Sequence, residues 1–254
     1  MDASVFSLEG QTAIVTGASG GLGKETALAL ADMGCDVVVA ARNRVALEEV
    51  AAAVEGKGRR CLAVQCDVTQ AGDVRRLVDR AVEAFQCIDI LVNNAGVAVE
   101  KSLEEIREDE WRQVIDTHLH GTFLCAQAVG REMIKRQRGR IINVVSVLGL
   151  VVVPLVGSYC AAKGGVIQLT RALALEWARY QITVNAIAPG YFISPMNQEQ
   201  FSDPAVLQNT IRRVPLKRLA TYDDLTPVIV FLASQASQYM TGQVIVVDGG
   251  WTIL

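Results

Sequence analysis

The sequence predicts an α/β fold, a doubly wound parallel sheet of about seven strands with helices on both faces and a small lid insertion. Three observations predict it. Short β-branched apolar runs alternate with helix-period segments along most of the chain, which is the rhythm of βαβ crossovers. Those runs are apolar throughout rather than at every second residue, as strands buried on both faces are. The composition, 51% hydrophobic and 20% charged over 254 residues, supplies the core that such a sheet requires.

Thr12–Thr16 reads as the first strand. A Gly-rich turn follows, and 22–33 has helical period up to a stop at Gly34. Asp36–Ala41 is the second strand, 45–55 a helix, Cys61–Gln65 the third strand, 73–85 a helix and 88–93 the fourth strand. A long helix is expected over 109–135, a strand over 140–147 and a helix over 158–180. A strand over 183–188, a helix over 223–234 and a last strand at Val244–Val247 complete the pattern. Between 189 and 219 the rhythm breaks at Pro195, Pro204 and Pro215, so a lid of about 190–219 is expected. No linker or low-complexity stretch divides the chain, and residues 1–254 are expected to form a single dinucleotide-binding and catalytic domain.

Several classes are excluded. A formal net charge of −3, without clustered Lys and Arg, gives no footprint for nucleic acid. The six cysteines form no CxxC and no secretory signal precedes them, so reduced thiols in a cytoplasmic protein are expected. His118 and His120 stand two apart and no cysteine pair has ligand spacing, so no metal site is expected. Residues 141–162 carry no charge and are long enough to span a bilayer. Their Asn143, Ser146, Gly149, Pro154 and Gly157 instead fit a buried strand running into an apolar loop, and no membrane span is expected.

The turn Thr16-Gly17-Ala18-Ser19-Gly20-Gly21-Leu22-Gly23 leaves a strand and enters a helix. Glycines let the backbone approach a diphosphate, and the helix start offers unpaired N–H groups. Gly17, Ser19, Gly21, Leu22 and Gly23 are therefore candidate nucleotide-binding residues; the plain alternative is a flexible turn. At the end of the second strand an acid would bind the 2′-OH of NAD, whereas an arginine suits the 2′-phosphate of NADP. Ala41 stands there and Arg42 follows, so NADP(H) is favoured, with NAD(H) possible. Asp67 and Val68, after the third strand, are placed to meet an adenine, although an Asp there is equally a helix cap.

Tyr159 and Lys163 are four apart in a helical segment and share one face. An ammonium nearby is expected to lower the phenol's pKa toward neutrality, and Ser146, at a strand end, to hydrogen-bond the same substrate oxygen.

Together these residues resemble the short-chain dehydrogenase/reductase family over the whole chain. The resemblance is carried by Thr16–Gly23, Asp67-Val68, Asn93-Asn94-Ala95-Gly96, Ser146 with Tyr159-Cys160-Ala161-Ala162-Lys163, Pro189-Gly190 and Asp248-Gly249-Gly250. Within the family the chain is similar to gluconate-type dehydrogenases and 3-oxoacyl-type ketoreductases that begin the lid with Pro-Gly-Tyr-Phe. The resemblance implies a Rossmann fold, hydride transfer with a nicotinamide, a small-molecule ketone or alcohol substrate and a homotetramer. It implies Tyr159 as general acid and base, Lys163 as the group that lowers its pKa and holds the nicotinamide ribose, and Ser146 as the residue orienting the carbonyl. Asn94, Ala95 and Gly96 would form the cofactor floor, supported by Asn93. Ile187, Pro189, Gly190 and Phe192 would lie against the nicotinamide, and Ser194 would bond its carboxamide.

One position departs from the family: His118 stands where a catalytic Asn is usual. That Asn is thought to place a proton-relay water through its backbone carbonyl, which survives a side-chain change; otherwise the imidazole itself exchanges protons, or simply packs. For the substrate, the family brings the stretch after Ser146 close to it. That stretch includes Leu148 and Val153, and Tyr191 and Met196 lie in the lid; the expected partner is an apolar small to medium ketone. A sugar-acid dehydrogenase is the alternative, and a catalytically silent nucleotide sensor a third, motivated only by His118.

Overall fold

The computed structural model describes residues 2–253. The strands are β1 (Thr12–Thr16), β2 (Asp36–Ala41), β3 (Cys61–Gln65), β4 (Ile90–Asn93), β5 (Gly139–Val144), β6 (Ile182–Pro189) and β7 (Val244–Val247). They pair in parallel in the order β3-β2-β1-β4-β5-β6-β7. The helices are α1 (Gly21–Asp32), α2 (Arg44–Glu55), α3 (Ala71–Phe85), α4 (Glu108–Ile115), α5 (Gly121–Arg136), α6 (Gly157–Trp177), α7 (Pro204–Arg212) and α8 (Tyr222–Ala233).

The continuous apolar runs divide between two cores because successive side chains leave opposite faces of a strand. Ala13, Val15, Val37, Val39, Ile142 and Val144 face α1, α2 and α8. Ile14, Val38, Ala40, Leu91 and Ile141 face α3, α5 and the C-terminal half of α6. Each buried valine or isoleucine removed from water contributes about 1.5–3 kcal/mol, so both faces of the sheet have to be covered. The chain winds outward from β1 to β3, then returns to place β4 on the other side of β1. That reversal opens a crevice at the carboxyl ends of β1 and β4, where ligands of open α/β sheets bind.

Three details differ from the pattern expected over 109–135, 140–147 and 190–219. The long helix is broken into α4 and α5 by a π-turn over Asp116–His120. Strand β5 stops at Val144, because the Ser146 hydroxyl accepts the Leu148 N–H at 3.1 Å and caps a 3₁₀ turn over Val147–Gly149. The lid carries α7, started by Asp203, whose carboxylate accepts the Ala205 N–H at 2.8 Å. Among the described residues no helix is long and apolar enough to cross a membrane, and no group of three His, Cys, Asp or Glu side chains is arranged to hold a metal.

Candidate active site

The Gly-rich turn lies across the crevice and is stapled to the end of β4. Asn94 donates through Nδ2 to the carbonyls of Thr16 at 3.0 Å and Gly17 at 3.2 Å. Thr16 Oγ1 in turn accepts the N–H groups of Asn94 and Ala95 at 3.0 and 3.2 Å. A Cβ on Gly17 would press on the Ala95 backbone, and one on Gly23 on the Gly17 carbonyl and the Asn94 amide. These two glycines are thus required by the protein's own packing, whereas Gly20 has open space where a side chain would be. The Leu22 side chain belongs to the core, which leaves its backbone to face the crevice.

Helix α1 starts with no side-chain cap, so its first N–H groups are open donors at the positive end of the helix dipole. The Arg42 guanidinium is exposed and has no hydrogen-bond or ion-pair partner among the described residues; only its backbone carbonyl is engaged, by Gln65. Open helix-start donors and a glycine turn held against β4 fit the diphosphate of a dinucleotide, with an unpaired cation, among the described residues, just beyond the end of β2. Beside them a cleft of about 390 Å³ opens between Arg42 and Asp67 on one side and Asp116 and His120 on the other. Asp67 Oδ1 is occupied by Thr69 N and Oγ1 at 3.0 and 2.8 Å. The Val68 side chain packs into the core between the sheet and α3 and α5.

Ser146, Tyr159 and Lys163 converge at the end of β5 and the first turns of α6. The Lys163 ammonium donates to Val144 O at 2.6 Å and lies 5.5 Å from the centre of the Tyr159 ring. Beneath it, Asn93 Nδ2 donates to Asn143 Oδ1, and Asn143 Nδ2 to Thr170 Oγ1, both at 2.9 Å. This buried chain ties β4, β5 and α6 together and fixes the rotation of α6 that brings Tyr159 and Lys163 to the crevice. Asn143 and Thr170 were not among the expected site residues; their signal is two asparagines in otherwise apolar strands, since a buried amide has to be paired.

Burial holds Lys163 down at about 7. It pushes the Tyr159 phenol up to about 12, against an opposing hydrogen bond from Ser146. The expectation of a phenol drawn toward neutrality by its lysine is therefore not what the protein alone exhibits. The ammonium is desolvated and committed to Val144, and the phenol holds its proton.

His118 is 2% exposed and sits inside the π-turn. Its Nε2 lies 2.6 Å from Val97 O and 3.1 Å from Val97 N, while Nδ1 is buried without a partner. Its own backbone carbonyl accepts the Thr122 hydroxyl at 2.6 Å. Burial, and then the charge of Lys163, push the imidazole down to about 3, so it is neutral. Gly96 lies against the ring, which fills the space a Cβ there would need.

The lid reaches back over the glycine turn: Pro195 stands above Gly21, and Phe192 meets Tyr222 edge-on at 5.9 Å. Ser194 is occupied within the lid, its hydroxyl donating to Asn197 Oδ1 at 3.2 Å. Pro189 and Gly190 end β6 against β7, where Gly190 N donates to Val247 O at 2.9 Å. Ile187 is buried in the core covered by α1, α2 and α8. Leu148, Val153 and Tyr191 pack around Val147, Val214 and Trp251, whereas Met196 stands exposed on the lid.

The family model described as enoyl-(acyl carrier protein) reductase matches residues 17–252. The 2-dehydro-3-deoxy-D-gluconate 5-dehydrogenase of Escherichia coli is 42% identical over 249 residues, 98% of each chain. A 3-oxoacyl-[acyl-carrier-protein] reductase of Synechocystis is 41% identical over 96% of this chain and 97% of that one. Among solved structures, a gluconate 5-dehydrogenase from Burkholderia cenocepacia in complex with NADP and tartrate superposes with a TM-score of 0.95 at 36% identity, over 99% of this chain and 98% of that one.

Proposed function

The chain belongs to the short-chain dehydrogenase/reductase family of oxidoreductases, and from that premise we propose that it reversibly reduces a ketone to a secondary alcohol with NADP(H). The observation that carries the reading is the convergence of Ser146, Tyr159 and Lys163 on one desolvated corner beside the β1/β4 crevice. The nicotinamide, when bound, supplies the hydride in reduction and takes it up in oxidation. Open N–H groups of α1, with Gly17, Ser19, Gly21 and Gly23, would hold the diphosphate. Arg42 would pair with the 2′-phosphate, and the NADP in the complex of the Burkholderia relative supports that preference.

In reduction Tyr159 Oη gives its proton to the carbonyl oxygen, which Ser146 Oγ orients. In the protein alone the phenol holds its proton, the form that the acid role in reduction requires. Lys163 is held beside it by Val144, and the phenolate left behind would favour its charged form. The apolar packing around Leu148, Val153 and Tyr191 favours a ketone with an apolar body. A sugar-acid substrate is the second reading, supported by the names of the E. coli and Burkholderia relatives.

Two further readings follow the family. Phe123 and Leu175, on α5 and α6, are large and exposed and suit the subunit contacts of a homotetramer, and six free thiols suit a cytoplasmic protein. The test is NADPH and NADH oxidation over a panel of ketones by the wild type and Tyr159→Phe. Turnover reduced about 10²–10⁴-fold in the variant is expected. Cofactor binding by the wild type with no turnover of any carbonyl would overturn the assignment.

A further inference from the structure

The apolar wall beside Ser146 ends in a cation. Val147 and Leu148, directly after Ser146, pack with Val153, Tyr191, Val214 and Trp251. Trp251 meets Tyr191 edge-on, with centroids 5.3 Å apart at 89°, and the Arg213 guanidinium carbon lies 5.7 Å from the centre of the Trp251 ring. Tyr191 and Trp251, with Arg213 on the Trp251 ring, therefore stand on the wall that Val147 and Leu148 begin directly after Ser146.

The base under Arg213 is braced. Val214 is buried, and Leu216 N donates to Gly249 O at 3.2 Å. Asp248 accepts Gly250 N, Thr252 N and Thr252 Oγ1 at 2.8, 2.8 and 2.7 Å, which fixes the turn presenting Trp251. Nearby Arg218 is closed off by a two-pronged pair with Asp224 at 2.6 and 2.8 Å. Arg213 has no such partner among the described residues. A guanidinium placed on an aromatic wall without a counter-ion presents a fork that matches a carboxylate.

Resting on the ketone-reductase reading above, we propose that Arg213 is the residue that selects the substrate, and that the substrate is an oxo acid. Its carboxylate would sit on Arg213, its apolar body along Leu148, Val153 and Trp251, and its ketone at Ser146 and Tyr159. The carboxylate is unchanged in the reaction: NADPH would supply a hydride to the carbonyl carbon, Tyr159 would give its proton to the oxygen and regain one from solvent, and NADP⁺ and a hydroxy acid would leave.

The test compares kcat/KM for matched pairs, medium-chain oxo acids and their methyl esters, in the wild type, Arg213→Met and Arg213→Lys at saturating NADPH. The readout is the acid-to-ester ratio, which a general loss of activity or of folded protein does not move. The wild type should favour the acid about ten- to a hundredfold, the range of a charge-assisted pair. Arg213→Met should bring the ratio close to one through the KM of the acid, and Arg213→Lys should recover part of it. Esters reduced as well as acids by the wild type, or an unchanged ratio in Arg213→Met, would overturn the assignment of Arg213 and leave the ketone-reductase reading intact. Failure of every acid and ester to oxidise NADPH would remove that reading and this inference with it.

Discussion

The His118 ring stands edge-on to the Tyr159 ring, with centroids 5.0 Å apart and planes at 85°. The 2.6 Å approach of Nε2 to Val97 O assigns the ring proton to Nε2, so the imidazole is clamped to the chain leaving β4 while its edge supports the phenol. A neutral ring held this way acts through Tyr159 and Val97 and not as a proton carrier. This narrows the alternatives the sequence leaves open at the position where the family usually has Asn.

His118→Asn should therefore retain turnover to within a few-fold, because an amide N–H can also donate to Val97 O. The imidazole should contribute no inflection near pH 6.5 in kcat/KM, since burial keeps it neutral down to about pH 3; an inflection near 7 would belong to Lys163 and survive in His118→Asn. His118→Ala, which strips Val97 of its partner, should lose activity and stability together, the stability by about 1–3 kcal/mol. An inflection near neutrality that disappears in His118→Asn, with a collapse of turnover, would assign the imidazole a direct proton-transfer role.

The same burial makes the fold acid-sensitive. The folded imidazole titrates at about 3 and the unfolded one near 6.5, so between those values the unfolded chain binds a proton that the folded chain does not. Stability should fall by about 1.4 kcal/mol for each pH unit below 6.5 from this group alone. Lys163, at about 7 folded against 10.5, acts in a separate window and adds stability as pH rises from 7 to 10.5. Urea midpoints measured from pH 7 to pH 5 should drop more steeply in the wild type than in His118→Asn; equal slopes would show that His118 is protonated in the fold.

The sheet was legible because burial on both faces writes its strands as nearly continuous apolar runs, as at 37–41 and, with Asn143 as the one interruption, at 141–144. The catalytic corner was legible because Tyr159 and Lys163 share a helix face and Ser146 follows a strand. The π-turn was not: helical periodicity runs straight through 116–120, and the break coincides with a side chain bonded to Val97, 21 positions away. Nor was the Arg213–Trp251 stack, which exists only because the end of the lid packs on the turn after β7. Both depend on contacts between segments that local pattern cannot see. The raised phenol pKa is not legible either, since spacing places the lysine but not the burial that pushes Tyr159 up.

Arg42 offers a direct test of cofactor choice. Its guanidinium has no partner among the described residues, and the next residue, Asn43, caps α2 by accepting Ala46 N at 3.2 Å. The position is thus held by the helix start, independently of the arginine side chain. Arg42→Ala should weaken NADPH about ten- to a hundredfold, as loss of a charge-assisted contact does, and leave NADH within a few-fold. Titrations of both nucleotides by fluorescence would decide it. An equal loss for the two would mean that Arg42 does not read the 2′-phosphate.

The glycines of the turn separate into two kinds, and stability measurements can tell them apart. A methyl on Gly23 would run into the Gly17 carbonyl and the Asn94 amide. To make room, the turn would have to give up the Asn94 bonds to Thr16 and Gly17. Overpacking of this kind costs about 1–3 kcal/mol, so Gly23→Ala should lower Tm by several degrees with no nucleotide present. Gly20, at φ 177°, has an extended backbone that any residue adopts, and nothing lies within 4 Å of its added Cβ. Gly20→Ala should leave Tm unchanged, and any weakening of NADPH in that variant would report on the ligand alone. If both variants melt like the wild type, the turn has slack that these contacts exclude, and Gly23 would have to be explained by the approach of the diphosphate instead.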